Sequence, residues 1–281
     1  MTLPTGSLTL VGTGLRISGH VTQEALAAIV EADKLFHLVQ DLVTHRWLAE
    51  LNPTAESLYD SYREARPRRE IYEEIVERML APVRRGKRVC AALYGHPGVF
   101  AMPAHEAIRR ARCEGYDAEM LPGVSAEDCL IADLGFDPGA RGCQSFEATD
   151  FLIRHRRFDP TSALVLWQIG GIGVADFRRE SYWNPRGVGI LAATLAHTYG
   201  ADHEVVVYEA SPYPVVDATI HRCPLSALAA APISIGSTLL VPPLAERPRD
   251  EALLAELRGS TPRARARPVQ RRSPGKAGAR R

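Results

Sequence analysis

Residues 88–100 read Arg-Val-Cys-Ala-Ala-Leu-Tyr-Gly-His-Pro-Gly-Val-Phe. The apolar run 88–94 has the length and composition of a buried strand, and it stops abruptly in Gly95-His96-Pro97-Gly98, after which 103–113 turns helical. The same grammar occurs on either side. Residues 7–12 alternate β-formers and break at Gly12-Thr13-Gly14, and Thr22 then opens a helical pattern through Ala25, Leu26, Ile29 and Val30. Residues 119–121 form a further strand that ends in Pro122-Gly123-Val124-Ser125-Ala126 before another helix. Between these, 34–39 reads as a second short strand and 58–80 as a helix-like stretch rich in Tyr, Arg and Glu. Strands alternating with helices predict a parallel α/β sheet with ligand loops at the carboxyl ends of its strands.

The texture changes after about residue 137. Segments 146–148, 163–168, 204–209 and 237–241 look like strands, with one clear helix at 187–199, so the second half is expected to carry a mixed or more antiparallel sheet. The expected organisation is an N-terminal, mostly parallel α/β domain over 1–137 and a mixed α/β domain over 138–245. A short helix and a basic, disordered tail are expected over 246–281. No internal repeat is visible.

Composition excludes several classes. At 46% hydrophobic, 24% charged and 7% aromatic over 281 residues, the chain has material for a substantial core and is neither disordered throughout nor collagen-like. No run reaches the roughly 18 apolar residues of a membrane span, and the first residues lack a signal peptide, so a cytoplasmic protein is expected. Five cysteines, Cys90, Cys113, Cys129, Cys143 and Cys223, are far apart with no C-x-x-C pair, which supports neither a disulfide framework nor a metal site. The formal charge of +1 hides an asymmetry, because residues 259–281 hold eight Lys or Arg and no acid. That leaves 26 basic and 33 acidic side chains in 1–258, a balance of −7 for the folded part.

Read from the residues alone, the three loops leave alternatives open. Gly12 and Gly14 suit a backbone that approaches a ligand closely, and they suit a tight turn equally. A dinucleotide site is disfavoured: the third glycine is missing and Leu38-Val39-Gln40 stands where an acidic residue would end the second strand. His96 reads first as part of a helix-entry turn, and Ser125 as a helix N-cap beside amides able to meet a polar ligand. Glu127 and Asp128 suit the first turn of the following helix. Three such loops at three strand ends argue for one small-molecule site.

Val-Gly-Thr-Gly at 11–14, Tyr-Gly-His-Pro-Gly at 94–98 and Leu-Pro-Gly-Val-Ser-Ala at 121–126, in this order and spacing, resemble the tetrapyrrole methylase family of S-adenosylmethionine-dependent methyltransferases. The longer strings 94–100, 121–130 and 147–154 resemble its borosin branch, which methylates peptide backbone amides. Gly14 is followed by Leu15-Arg16 where the tetrapyrrole enzymes usually have Gly-Pro, and this too favours the borosin branch. The resemblance covers roughly 6–243 and implies a two-domain fold with S-adenosylmethionine held in the cleft between domains. It implies cofactor contacts at Gly12, Gly14, Tyr94, His96, Val99, Phe100, Ser125, Ala126 and Gln168, with Tyr208, Ala210, Ser237 and Thr238 as weaker members of the set. It implies a homodimer and no cofactor beyond S-adenosylmethionine.

The resemblance also gives meaning to Tyr59, Tyr62, Arg68 and Tyr72, which match the tyrosines and arginine that borosin enzymes place over the target amide. Arg68 and Tyr72 lie at i and i+4 on one helical face, with Tyr62 in the segment leading in. Without the resemblance, the same residues read as surface-packed tyrosines and a solvated run of Arg66, Arg68 and Arg69. An amide nitrogen is a poor nucleophile, so catalysis must remove its proton or stabilise the imidate-like oxygen. The expectation is that Tyr62 or Tyr72, its phenolate favoured by the Arg68 guanidinium, is the base, and that another hydroxyl or Arg68 steadies the oxygen.

Fungal borosin precursors fuse a run rich in Val, Ile and Gly to the enzyme's carboxyl terminus. Pro262-Arg263-Ala264-Arg265-Ala266-Arg267 is unlike such a run, so the substrate expected here is a peptide supplied as a separate chain. Nucleic acid is not an expected partner, since a short charge run is usually a solvated extension. Two alternatives stay beside the favoured one: the same fold methylating a corrin, porphyrin or other small molecule, and a non-catalytic peptide- or RNA-binding protein.

Overall fold

A computed structural model of the chain describes residues 5–16, 18–39, 41–63, 66–177 and 184–259. Residues 1–245 form one compact unit and residues 246–281 a second. The first unit's leading sheet is built from β1 (Ser7–Gly12), β2 (Lys34–Leu38), β3 (Glu56–Ser57), β4 (Arg88–Leu93) and β5 (Asp117–Met120). All are parallel, in the order β3-β2-β4-β1-β5. Helices α1 (Gln23–Glu31), α2 (Leu42–Leu51), α3 (Arg68–Val83) and α4 (Met102–Cys113) connect these strands. Parallel strands covered on both faces need apolar side chains throughout, and β4 supplies them, with every residue from Val89 to Leu93 buried. The expected parallel α/β sheet is therefore present.

Helices α5 (Ala126–Leu134) and α6 (Pro138–Arg141) lead to a second sheet made of β6 (Cys143–Glu147), β7 (Ala163–Trp167), β8 (Glu204–Glu209), β9 (Thr219–Pro224) and β10 (Thr238–Val241). Its order is β6-β7-β10-β8-β9, with only β6 and β7 parallel among the paired strands. Helices α7 (Ala148–Ile153) and α8 (Pro185–Tyr199) accompany it, and α8 packs Val188, Leu191 and Leu195 into the core with β7, β8 and β10. The mixed second sheet matches the expectation. The second unit contributes α9 (Glu251–Gly259), and most of the tail expected to be disordered lies outside the described residues. No helix among the described residues is long and apolar enough to cross a membrane.

Two expectations need correction, and two elements were not anticipated. The helix-like stretch 58–80 is broken: Tyr59–Ser61 form a single 3₁₀ turn, Tyr62 is extended, and α3 starts only at Arg68. Pro67 imposes this, since it disfavours helical backbone in the residue before it but suits the start of a helix. Segment 146–148 is not one strand, because the Glu147 carboxylate accepts from the Asp150 amide at 2.7 Å and caps a helix that begins at Ala148. Helix α2 and strand β9 have no counterpart in the sequence reading. Leu42 and Val43 face outward and only Thr44 and Leu48 of α2 are buried, so its apolar period is faint. Edge strand β9 buries Cys223 alone.

Arg78 of α3 ties down the segment before that helix. Its guanidinium donates to Asp60 at 2.6 Å, to the Ser61 hydroxyl at 2.9 Å, to Glu56 at 2.7 Å and to the Ser57 carbonyl at 2.9 Å. Four charge-assisted bonds from one planar group hold the 56–61 segment, and with it Tyr59, against the helix.

His37 in β2 is fully buried, and neither ring nitrogen has a partner among the described residues. Burial, with a smaller contribution from His45 ring to ring at 4.8 Å, pulls its pKa from 6.5 to about 4. The unfolded chain therefore takes up this proton first, and the stability that neutral His37 permits is complete above about pH 6.5 and lost as pH falls toward 4. In urea titrations at pH 7 and pH 5, wild type is expected to lose about 2 kcal/mol on acidification from this group. His37→Leu is expected to lose correspondingly less; an undiminished loss in the variant would place the acid sensitivity elsewhere.

Candidate active site

The three glycine-bearing loops interlock at the carboxyl ends of β1, β4 and β5. A Cβ on Gly12 would stand 2.4 Å from the Gly95 carbonyl oxygen and 3.0 Å from the Gly123 Cα, and one on Gly123 would stand 2.8 Å from the Gly12 Cα. Gly14 and Gly95 form a two-residue bridge, the Gly14 amide donating to the Gly95 carbonyl at 3.2 Å and the Gly95 amide returning to Gly14 at 2.9 Å. Both take positive φ, +67° and +68°, a region that side-chain-bearing residues avoid. These glycines let three backbones touch.

Above this knot lies a cavity of about 500 Å³, within the range typical of small-molecule sites. Its walls come from both sheets: Thr13, Gly14 and Arg16 after β1, Tyr94, His96, Val99 and Phe100 after β4, Ser125 and Ala126 at the start of α5, Trp167 and Gln168 at the end of β7, and Tyr208, Glu209 and Ala210 at the end of β8. Asp41 and Thr44 of the α2 cap and Thr238 of β10 complete it. A second, more open cavity of about 470 Å³ adjoins it, lined by Arg68, Tyr72, Gly98, Phe100, Ala101, Met102, His105 and Gln168.

Of the expected cofactor set, eleven residues line the first cavity: Gly14, Tyr94, His96, Val99, Phe100, Ser125, Ala126, Gln168, Tyr208, Ala210 and Thr238. Gly12 and Ser237 do not. Gly12 sits beneath, at the knot, and the Ser237 hydroxyl is occupied with the Ser234 amide at 2.8 Å and Glu209 at 3.3 Å. Some lining side chains have their polar atoms committed already. Ser125 and Asp128 form a reciprocal capping box, with the Ser125 hydroxyl donating to Asp128 at 2.7 Å and accepting from its amide at 3.2 Å, an arrangement that satisfies the free amides of the first helical turn. His96 Nδ1 accepts from the Gly98 amide at 3.0 Å, so part of the ring serves the turn. The buried Tyr208 hydroxyl donates to Asp133 at 2.8 Å, and burial together with this bond raises its pKa.

The charged residues of the cavity, Arg16, Asp41 and Glu209, escaped the sequence reading, as did Trp167. Glu209 is held by the Ser234 and Ser237 hydroxyls, a contact between residues 25 or more apart in sequence that no local pattern announces. Asp41 carries a local signal, an acidic residue ahead of a helix. It caps α2 through the Thr44 amide at 2.7 Å.

Tyr59, Tyr62 and Tyr72 gather beside the second cavity. The Tyr62 ring lies 5.4 Å from Tyr59, 6.5 Å from Tyr72 and 5.2 Å from Phe177. Phe177 belongs to the other half of the unit, and it reaches this cluster because Asp176 bridges Pro67 and the Phe177 amide donates to the Arg66 carbonyl at 3.3 Å. Arg66 pairs with Glu74, while Arg68 makes no ion pair among the described residues and turns into the second cavity with Tyr72.

The expected phenolate at Tyr62 is not favoured. Burial pushes its hydroxyl well above the ordinary tyrosine range, Tyr72 and Tyr94 push the same way, and the opposing pull of Arg68 is smaller than burial. Tyr62 is thus a hydrogen-bond donor at neutral pH, whereas Tyr72 shares a helical face and a cavity wall with the Arg68 guanidinium.

Comparison with known proteins places this geometry. A family profile described as Tetrapyrrole (Corrin/Porphyrin) Methylases matches residues 7–229. The methyltransferase/ribosomally synthesized cyclic peptide gymnopeptides precursor of Gymnopus fusipes is 44% identical over 242 residues, 85% of this chain and 57% of that protein. The corresponding omphalotin A precursor of Omphalotus olearius is 42% identical over 246 residues, 86% of this chain and 59% of its own length. The type III borosin cyclic peptide precursor of Anomoporia bombycina is 42% identical over 256 residues, 90% of this chain and 30% of that one. The chain thus spans little more than half, or less, of these relatives. Among solved structures, uroporphyrin-III-C-methyltransferase from Thermus thermophilus superposes with a TM-score of 0.60 at 20% identity, covering 85% of this chain and 93% of that one. The cobalamin biosynthetic enzyme cobalt precorrin-4 methyltransferase does so at 0.60 and 21%, covering 84% and 94%. At these identities the likeness is one of fold.

The loop knot makes a testable contrast between two glycines. Gly12→Ala forces a methyl against a carbonyl and is expected to cost about 1–3 kcal/mol in denaturant unfolding. Gly189→Ala, in α8 with open space around the added carbon, is expected to gain up to about 1 kcal/mol. Equal effects would contradict the backbone contact at Gly12.

Proposed function

The chain belongs to the tetrapyrrole (corrin/porphyrin) methylase family, and from that membership we propose an S-adenosylmethionine-dependent methyltransferase that methylates backbone amides of a ribosomally made peptide. The observation that carries the peptide reading is the junction of the two cavities, where Arg68, without an ion pair among the described residues, and Tyr72 face a second chamber beside the glycine-loop chamber. The residues of the first cavity fit the cofactor. Its two carboxylates, Asp41 and Glu209, and one guanidinium, Arg16, complement a molecule bearing a sulfonium, an ammonium and a carboxylate, and Tyr94 and Trp167 offer aromatic faces to a base. When bound, S-adenosylmethionine supplies a methyl that passes from sulfur to nitrogen and leaves a neutral thioether.

The chain's own residues prepare the nitrogen. Tyr72, beside the Arg68 guanidinium, accepts the amide proton, so the electron pair of the N–H bond becomes available for the new N–C bond. Arg68 faces the oxygen on which negative charge gathers, and the protonated Tyr62 donates a second hydrogen bond there. Phe177 and Tyr59 pack Tyr62 from two sides and fix its ring. Arg78 keeps the segment that carries Tyr59 docked on α3.

The acceptor in this reading is a separate chain. Residues 260–281 alternate Arg with Ala and Pro and are not themselves the acceptor in this reading. A cytoplasmic setting accords with the five free cysteines. A homodimer accords with the exposed Leu42, Val43, Val215 and Val216.

The test is mass spectrometry of a candidate precursor co-expressed with the protein. The expected result is mass gains in steps of about 14 Da, located by fragmentation on backbone amides, and reduced about 10²–10⁴-fold in rate by Tyr72→Phe and by Arg68→Ala. Methyl groups on side chains, or full activity in both variants, would contradict the assignment.

A further inference from the structure

Phe100 and Gln168 are the two residues common to both cavities. They come from opposite halves of the unit, one following β4 and the other following β7, and meet through the Phe100 and Trp167 rings at 5.9 Å. Each also has positive φ, +51° for Phe100 and +58° for Gln168; Ser18 and His155 are the other described non-glycine residues in this state. Side chains beyond Cβ are disfavoured there, and a fold retains such residues where the surroundings or the function require them.

Apart from the contact of the Phe100 and Trp167 rings, neither side chain is used by the fold in an evident way. The Phe100 ring is half-exposed, and the Gln168 carboxamide makes no hydrogen bond among the described residues although the residue is partly buried. The Gln168 carbonyl does accept from the Gly171 amide at 2.9 Å, which accounts for its backbone and leaves the side chain over. A carboxamide has one acceptor and two donor hydrogens, and a peptide group offers the complementary pair in one plane. Glycine, which takes positive φ without cost, would satisfy both turns; what it would lack is the ring and the amide at the junction.

We infer that Phe100 and Gln168 form the sill between the cofactor and acceptor chambers and position the target amide: the Gln168 carboxamide pairs with a peptide group of the acceptor, and the Phe100 ring limits how the backbone enters. Both are positioning residues, since the proton transfer is assigned to Tyr72. The inference rests on the peptide methyltransferase reading and specifies where that reading's acceptor is gripped. It also separates these two residues from the rest of the cofactor wall, because their loss disturbs alignment across the junction more than affinity within the first chamber.

The experiment uses the full chain and the variants Gln168→Gly, Gln168→Asn and Phe100→Gly, the glycines keeping the positive-φ backbone. Three quantities are read: the dissociation constant of S-adenosylhomocysteine by titration calorimetry, the thermal midpoint, and the single-turnover rate of methyl transfer to a synthetic Val, Ile and Gly peptide. For Gln168→Gly and Phe100→Gly the expected result is binding within about 5-fold of wild type, no fall in midpoint, and a rate about 100-fold lower. Gln168→Asn, with its shorter carboxamide, is expected to recover about 10-fold of that loss. A loss of S-adenosylhomocysteine affinity equal to the loss of rate would make the two residues cofactor contacts only and overturn the inference, and so would an unchanged rate. Wild-type protein that binds S-adenosylhomocysteine but methylates no amide of the peptide would overturn the peptide reading, and the inference with it.

Discussion

Three turns can share one point in space only if no Cβ stands between them. Gly12 and Gly123 meet that condition at the ends of β1 and β5, where a Cβ would stand 2.4 and 2.9 Å from the carbonyl oxygen of Gly95, the residue that turns the chain after β4. The closeness is what raises the strand ends into a common rim, so that residues following each glycine, Arg16, His96 and Ala126 among them, face one cavity. The parallel sheet supplies the direction and the glycines supply the contact. Everything assigned to the first chamber depends on both.

The proposed catalytic arrangement is assembled differently, by anchoring rather than by close backbone approach. Tyr59 and Tyr62 stand on an irregular segment with little regular hydrogen bonding of its own, which the Arg78 guanidinium holds through Glu56 and Asp60 and whose tyrosine rings pack on Phe177. Arg68 and Tyr72 stand on the rigid first turns of α3. Two tyrosines within one cluster thereby acquire different roles. In the proposed reaction burial keeps the Tyr62 proton in place, and the base is assigned to Tyr72 because it lies one helical turn from the Arg68 guanidinium, which has no ion pair among the described residues.

Much of this is legible in the order of residues. The strand-loop-helix grammar around Gly12, Gly95 and Gly123 announces the parallel sheet, and i, i+4 spacing places Arg68 and Tyr72 on one face. Less visible are features whose cause lies far away in sequence. Glu209 reaches the cavity through hydroxyls on another loop, Phe177 reaches the tyrosines through a bridge to Pro67, and α2 buries too few apolar residues to show a period. Ser125 reads correctly as a cap, but the capping box consumes the hydroxyl that a ligand would need. Spacing alone puts Arg68 near Tyr62 and suggests a lowered pKa; desolvation, which spacing does not encode, reverses the direction.

The proposed chemistry makes one bond, between a methyl carbon and a backbone nitrogen, and that bond can be observed directly. Incubating the protein with S-adenosylmethionine carrying carbon-13 in its methyl group and an acceptor peptide uniformly labelled with nitrogen-15 would place the two labels side by side in the product. Nuclear magnetic resonance should then show a direct one-bond coupling between the transferred carbon and a backbone nitrogen. A transferred carbon with no such coupling, attached instead to oxygen, sulfur or a side-chain carbon, would contradict the proposed chemistry.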